Sequence, residues 1–405
     1  MIPTIGVPKV LLLRDAEEVR TVFREMGVSS GGIKIMGRKA LFRVVRVSGL
    51  DTRAANILKQ EMLSRGGEVA TSREVYELGG KQAECLIMGT LSQYDQLIPK
   101  LKAQPFGLRA LAEALGAVLQ NSEDRPPHCH PGLDLTDRPL IMGAINVTPD
   151  SFSSYGEHED PEVAVKAAWE MVEQGAHMID VGGESTRPGS DRVSVEQELS
   201  RVLPVVEALA GALPVPVSVD TYKAQVAAGA LEAGAFMIND VSGLRMDPEM
   251  LSVVRDAGCP VALMHMLGEP KTMQEDPVYR NVVEDVYSFF MERLETAVEG
   301  GLEEENLLLD VGIGFGKNLQ HNLDLLRNMG TFRSLGRPLI LGASRKRFIG
   351  EILGLSDPRD RVQGSAATTV MAALQGVDIV RVHDVRENAE AAALARAVYP
   401  PSGQE

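Results

Sequence analysis

The sequence predicts an α/β fold: a closed (β/α)8 TIM barrel preceded by a smaller α/β domain. Three observations lead there. Short apolar runs recur from Pro139 to Asp384, and each ends in a residue that can hydrogen-bond, ionise or bind a metal. Segments with helical apolar spacing separate these runs. The 405 residues also exceed the ~250 of a single barrel, which leaves room for a second domain.

The candidate strands are 139–147, 177–183, 216–221, 236–242, 260–266, 307–315, 338–344 and 378–385. They are short and nearly continuous in apolar residues, as expected of parallel strands covered on both faces. The intervening segments 161–176, 194–213, 222–235, 248–258, 278–300, 319–335, 365–376 and 389–399 read as helices. Pro161 suits a first helical turn, and Val163, Val165, Ala168, Met171 and Val172 line one face after it. A doubly wound open sheet is the alternative for such alternation, but this many units in one uninterrupted domain favours closure. In a barrel, strand ends meet ligands at the C-terminal mouth.

Ahead of the barrel (139–405), residues 121–138 are polar and Pro-rich and read as a linker. Their His128-Cys129-His130 triplet lacks a partner pair at zinc spacing. Residues 1–120 read as a small α/β domain without a chemical motif. Phe42 to Val47 alternates like a half-exposed strand, Thr52 to Arg65 is helical with Asp51 or Thr52 as its cap, Cys85 to Met88 is a strand, and helices start at Leu91 and Leu108.

The formal net charge of −15 argues against a general nucleic-acid or membrane-surface role, since both need a positive field. No apolar run approaches the ~20 residues of a membrane span, and no secretory signal is expected. The three cysteines, Cys85, Cys129 and Cys259, are scattered and suit a reducing cytoplasm. Against the acidic background, Arg187, Arg345, Lys346, Arg347 and Arg381 cluster near strand ends, which suits an anionic small molecule.

The strand ends carry specific chemistry. Asn146 can offer a carbonyl oxygen to a hard cation or an amide to a phosphate, and Asp150, Ser151 and Phe152 follow on a turn that can cover a ligand. In Gly182-Gly183-Glu184-Ser185-Thr186-Arg187-Pro188-Gly189 the glycines allow close backbone approach, while Thr186 and Arg187 can bind an anion. Asp220, Asn239 and Asp310 end three strands. Together they suit a flat heterocycle whose adjacent N–H groups a carboxylate accepts in pairs; carboxylates so grouped could instead hold a metal. Asp310-Val311-Gly312-Ile313-Gly314-Phe315-Gly316-Lys317 lacks the Walker pattern, so its glycines are read as setting Phe315 against a ring, with Met264 as an apolar wall. Arg381 and His383 lie two apart, so they share a strand face and can meet one phosphate group.

These motifs, in this order, closely resemble the dihydropteroate synthase family from about Pro139 to Tyr399. The resemblance implies condensation of 6-hydroxymethyl-7,8-dihydropterin diphosphate with 4-aminobenzoate, with Mg2+ as cofactor, in a cytoplasmic homodimer. It implies that Asp220, Asn239, Asp310 and Lys346 bind the pterin, with Met264 and Phe315 packed on it. Asn146, Thr186, Arg381 and His383 would hold the diphosphate, Asn146 through Mg2+. Phe152, Thr186, Arg187 and Pro188 would shape the aminobenzoate site. Asp150, Arg187 and Lys346 would serve the catalytic step, the first two by ordering the mobile loops. The sequence departs from the family at Arg347, where many relatives carry a small residue, and in residues 1–120. Two rival readings share a pterin barrel: a methyltransferase from methylated folate to a corrinoid protein, and a non-catalytic pterin-binding protein. Thr186-Arg187 and Arg381-Val382-His383 argue against the first, and intact loops argue against the second.

Overall fold

The computed structural model describes residues 8–73, 75, 82–123, 126, 128–147, 161–185, 192–268 and 272–400. The chain divides into two compact units, Met1–Asp124 with Ser402–Glu405, and Arg125–Pro401.

The first unit holds an antiparallel sheet ordered β1-β3-β2, formed by β1 (Phe42–Leu50), β2 (Glu68–Thr71) and β3 (Ala83–Thr90). The alternation read in the sequence is physical. Val45 and Val47 face Ile87 and Cys85 across the strand pair and join a core with Leu58, Met62, Tyr94 and Leu97. The helix Thr52–Leu63 begins as expected, with the Asp51 carboxylate accepting from the Arg53 amide at 2.8 Å. Two helices, Ala16–Glu25 and Ser30–Met36, and the four-residue β2 were not foreseen.

The second unit is a closed barrel of parallel strands: β4 (Leu140–Asn146), β5 (Met178–Gly182), β6 (Val217–Asp220), β7 (Met237–Asp240), β8 (Val261–Met264), β9 (Leu307–Asp310), β10 (Leu339–Leu341) and β11 (Ile379–Val382). Each strand pairs in register with the next, and β11 closes on β4. Alternate residues serve two cores. Ile141, Ile179, Val219, Ile238, Leu263 and Leu309 point outward and pack on helices through Ala168, Val205, Leu209 and Phe290. Met142, Met178, Met237, Ala262, Leu308, Ile340 and Ile379 fill the interior.

Leu133 and Leu135 are buried in that interior cluster, with Cys129 and Phe236 packed against it. So part of the Pro-rich stretch 121–138 forms the barrel's floor, and its first residues belong instead to the helix Leu108–Glu123 of the first unit. His130 meets Phe236 edge-on, with ring centroids 5.3 Å apart. Arg138 bonds the buried Asp378 at 3.2 Å, and Asp378 also accepts from the Leu339 amide. No helix among the described residues is long and apolar enough to cross a membrane.

Most strands end earlier than expected, and β9 shows why. The chain leaves the sheet after Asp310, whose carboxylate accepts from the Gly312 amide at 2.8 Å. Gly312, Gly314 and Gly316 then take φ of 65°, 83° and 63°, conformations that strand residues do not adopt. The predicted helix 319–335 breaks at Asn328. An additional helix, Arg347–Leu353, follows β10.

Candidate active site

The inward-facing residues change from apolar to polar toward the C-terminal ends of the strands. Met142 is succeeded on its face by Ala144 and Asn146, Met178 by Asp180 and Gly182, and Met237 by Asn239. Leu308 is likewise succeeded by Asp310, and Ile379 by Arg381. Asp180 pairs with Ser218 and Gly182 with Asp220 in the β5–β6 ladder. The two-residue period thus delivers a ring of polar groups to one end of the barrel.

Arg381 is the hub of that ring. Its Nε donates to Asp180 Oδ2 at 2.6 Å and its Nη2 to Asp220 Oδ2 at 3.2 Å. Asn239 Nδ2 donates to the same Asp180 oxygen at 3.5 Å. Arg381 Nη1 has no hydrogen-bond partner among the described residues. Burial works against the Arg381 charge, but Asp180 and Asp220 outweigh it and hold the guanidinium protonated. Asp220 moves the other way. Burial raises its carboxyl to about 7; Arg381 opposes that rise and Asp180 adds to it. Gly182 keeps this corner open: a Cβ there would sit 3.6 Å from Asp220 Cβ and 3.7 Å from Asn146 Oδ1.

On the opposite arc, burial also raises the Asp310 carboxyl, against the Gly312 N–H and the charge of Lys346. The Lys346 ammonium lies over the Phe315 ring, 4.1 Å from its centroid. Phe315 packs against the cluster of Met264, Tyr222, Val241, Met266 and Met273. The glycine turns therefore present Phe315, Lys346 and Met264 beside Asp310. Lys317 turns inward instead, beneath Phe315. Its ammonium meets His265 Nδ1 at 2.9 Å and donates to the Phe315 carbonyl at 3.0 Å. Burial lowers Lys317 to about 7, with Asp310 opposing, and burial lowers His265 to about 2, so this His is the neutral acceptor.

The loop cations divide by task. Arg345, at φ 56°, chelates Asp384 through Nε at 2.9 Å and through Nη2, joining the loops after β10 and β11. Arg361 donates to the Arg345 carbonyl at 3.0 Å. His383 Nδ1 lies 3.2 Å from Ser344 Oγ. Arg347 is 85% exposed and pairs with Glu351 on its own helix, which turns it away from the ring.

The structure thus assembles Asn146, Asp220, Asn239, Met264, Asp310, Phe315, Lys346, Arg381 and His383 at the strand ends. Asp150, Phe152, Thr186, Arg187 and Pro188 lie outside the described residues. Asp180, the shared acceptor for Arg381 and Asn239, was missed as a site residue. The signal was available, because Asp180 stands two residues from Gly182 on the interior face of its strand.

A family model described as pterin binding enzyme matches residues 142–383, which contain every described member of this ring. The dihydropteroate synthase of Escherichia coli K12 is 50% identical over 259 residues, covering 64% of this chain and 91% of the relative. The chain belongs to the dihydropteroate synthase family. A Yersinia pestis dihydropteroate synthase solved with a sulfonamide drug complex aligns with a TM-score of 0.63 at 47% identity, over 66% of this chain and 95% of that one. A further relative reaches into the first unit. The probable bifunctional folylpolyglutamate synthase/dihydropteroate synthase of Haloferax volcanii is 40% identical over 377 residues, or 90% of this chain. The chain spans 44% of that relative's length. The barrel is thus matched by relatives of about its own length, and the match to the longer relative extends into the first unit.

Proposed function

We propose that the barrel condenses 6-hydroxymethyl-7,8-dihydropterin diphosphate with 4-aminobenzoate, giving 7,8-dihydropteroate and diphosphate. The observation that carries this reading is the ring of Asp220, Asn239 and Asp310 set beside Lys346, Phe315 and Arg381. Asp310 and Asp220 would accept N–H groups of the pterin, and Asn239 would match a mixed donor and acceptor edge. Phe315 and Met264 would pack on the ring face, and Lys346 would donate to it from above Phe315. Arg381 would direct Nη1 to the diphosphate while Asp180 and Asp220 hold its other nitrogens. His383 would supply a second contact to that anion, and Thr186 a third.

The reaction needs no strong base. The neutral aromatic amine attacks the methylene carbon, the carbon–oxygen bond breaks, and its electron pair leaves on diphosphate. The amine nitrogen then loses one proton. Carboxylates around the pterin favour positive charge developing at the methylene, and Arg381 and His383 stabilise the leaving anion. Phe152, Thr186, Arg187 and Pro188 would shape the aminobenzoate side, with Asp150 and Arg187 ordering the loops.

No cluster of three His, Cys, Asp or Glu among the described residues could hold a metal. Asn146, at the rim of β4, offers one amide oxygen, and this fits an ion that keeps waters and takes the rest of its shell from phosphate oxygens. Mg2+ held there would neutralise charge on the departing diphosphate. A homodimer is supported by exposed Met371, Leu374, Leu394 and Val398 on the helices Val362–Leu374 and Val385–Val398. A cytoplasmic setting is supported by the free Cys85, Cys129 and Cys259. The test is to incubate purified protein with both substrates and Mg2+. Dihydropteroate and diphosphate should form in equal amounts; methyl transfer from a methylated folate, or binding without turnover, would contradict the reading.

A further inference from the structure

Lys223 closes the Ser-Val-Asp-Thr-Tyr-Lys run after β6, yet its side chain is only 12% exposed. The ammonium donates to the carboxylates of Glu184 and Glu198 and, at 2.8 Å, to the Val193 carbonyl. Glu198 stands on the helix Val195–Ala212 with its side chain 1% exposed, and Glu184 is 7% exposed. Tyr222 Oη donates to the second Glu184 oxygen at 2.9 Å. Arg201 of the same helix donates to the Gly183 carbonyl at 3.1 Å. Gly183 lies so close to this helix that a Cβ would come within 2.5 Å of Val202 Cγ2.

Glu184 and Val193 lie on the two flanks of the connection between β5 and that helix. One Nζ therefore ties the departing chain to the returning chain. Ser194 caps the helix immediately afterwards, accepting from the Gln197 amide at 3.2 Å, so the return point is fixed on both sides. Stability alone gives little reason for burying one ammonium between two carboxylates, because well-packed apolar residues often serve as well or better. What such a cluster supplies is one defined geometry, since each partner is costly to leave unpaired.

We propose that Lys223 is a positioning residue for the aminobenzoate half of the reaction. It fixes where the segment holding Thr186, Arg187 and Pro188 leaves the barrel and where it returns. This rests on the reading above that those residues shape the aminobenzoate site.

The test is steady-state kinetics and calorimetry on the full chain, with Lys223→Met, Lys223→Arg, Glu184→Gln and, as a reference, Arg187→Ala. Lys223→Met should raise the KM for 4-aminobenzoate about tenfold, as displaced positioning groups do, while the Kd for the pterin diphosphate stays within about twofold of wild type. Lys223→Arg should recover most of the loss. Should Lys223→Met fail to fold, Glu184→Gln, nearly isosteric, carries the same comparison. If Arg187→Ala raises the KM and neither clamp variant does, the inference is overturned and the site reading stands. A parallel loss of pterin affinity and aminobenzoate KM would also overturn it, by making the cluster a general support of the barrel. If Arg187→Ala leaves the KM unchanged, the assignment of that segment falls and the inference falls with it.

Discussion

Arg381 Nε donates to Asp180 Oδ2 at 2.6 Å, reaching from β11 past β4 to β5 inside the barrel. The side chain of Asp180 is fully buried, and its other oxygen, Oδ1, has no hydrogen-bond partner among the described residues. Such a carboxylate is costly unless it serves a partner, and here it holds a guanidinium in place while Asp220 shares that guanidinium's second nitrogen.

Asp180→Asn should therefore change the pH dependence of pterin binding. Asp220 must be ionised to accept the pterin's N–H groups, so affinity in the wild type should climb as pH rises from about 5 to 8. Removing the neighbouring charge lowers the Asp220 pKa and moves the climb to lower pH. Stability carries the opposite sign. The carboxyls of Asp220 and Asp310 are raised in the fold by burial, so their contribution is fully present below the unfolded-state value. It is lost as pH rises, for Asp220 through about 7. The melting temperature of ligand-free protein should fall over that window, and pterin should offset the fall. Calorimetry and thermal scans from pH 4 to 8 check both trends.

His383→Ala should weaken binding of the pterin diphosphate by about 1.5–3 kcal/mol and leave the diphosphate-free pterin nearly unaffected. Arg381→Ala should cost more and also lower stability, because it strands Asp180 and Asp220 without their cation. Equal weakening of both ligands by His383→Ala would assign that residue to the ring or the fold.

Aminobenzoate should bind well only when diphosphate or the pterin substrate is present, if Arg187 and its neighbours meet both ligands. Equilibrium dialysis with and without diphosphate tests this; tight binding to the bare protein would refute it.

A chain beginning at Pro126 should fold and keep most of its turnover, since every described member of the polar ring lies in the second unit. Beginning at Leu133 should lower the melting temperature. That start removes Cys129, which packs on the floor cluster, and His130, which meets Phe236. A Pro126 variant that is folded but inactive would give the first unit a part in catalysis.

Much of this was legible because a barrel strand encodes inside and outside as a period of two. The polar terminators Asp220, Asn239, Asp310 and Arg381 stand out against apolar runs, and their order names the site. Asp180 also ends an apolar run and the same period places it inside, but it is followed by Gly182 and Gly183, so the local pattern points to the loop rather than to the carboxylate as the ligand-facing group. Lys317 closes a glycine-rich run in sequence, and its ammonium reaches His265 through a turn with positive φ at Gly312, Gly314 and Gly316 that the pattern of residue types does not specify. The commitment of Arg345 to Asp384 depends on a long-range pairing that no local pattern specifies. The helix Ala16–Glu25 carries little apolar signal for a different reason. It is mostly polar, and Val19 alone is fully buried.

The central claim is that the strand-end carboxylates form a pterin site, and calorimetric titration of the pterin diphosphate into wild type and Asp310→Asn tests it most directly. The variant keeps the shape and one acceptor oxygen but cannot accept from two adjacent N–H groups. Affinity should fall about tenfold to a hundredfold, with the melting temperature nearly preserved. Unchanged affinity in a folded Asp310→Asn protein would contradict the account.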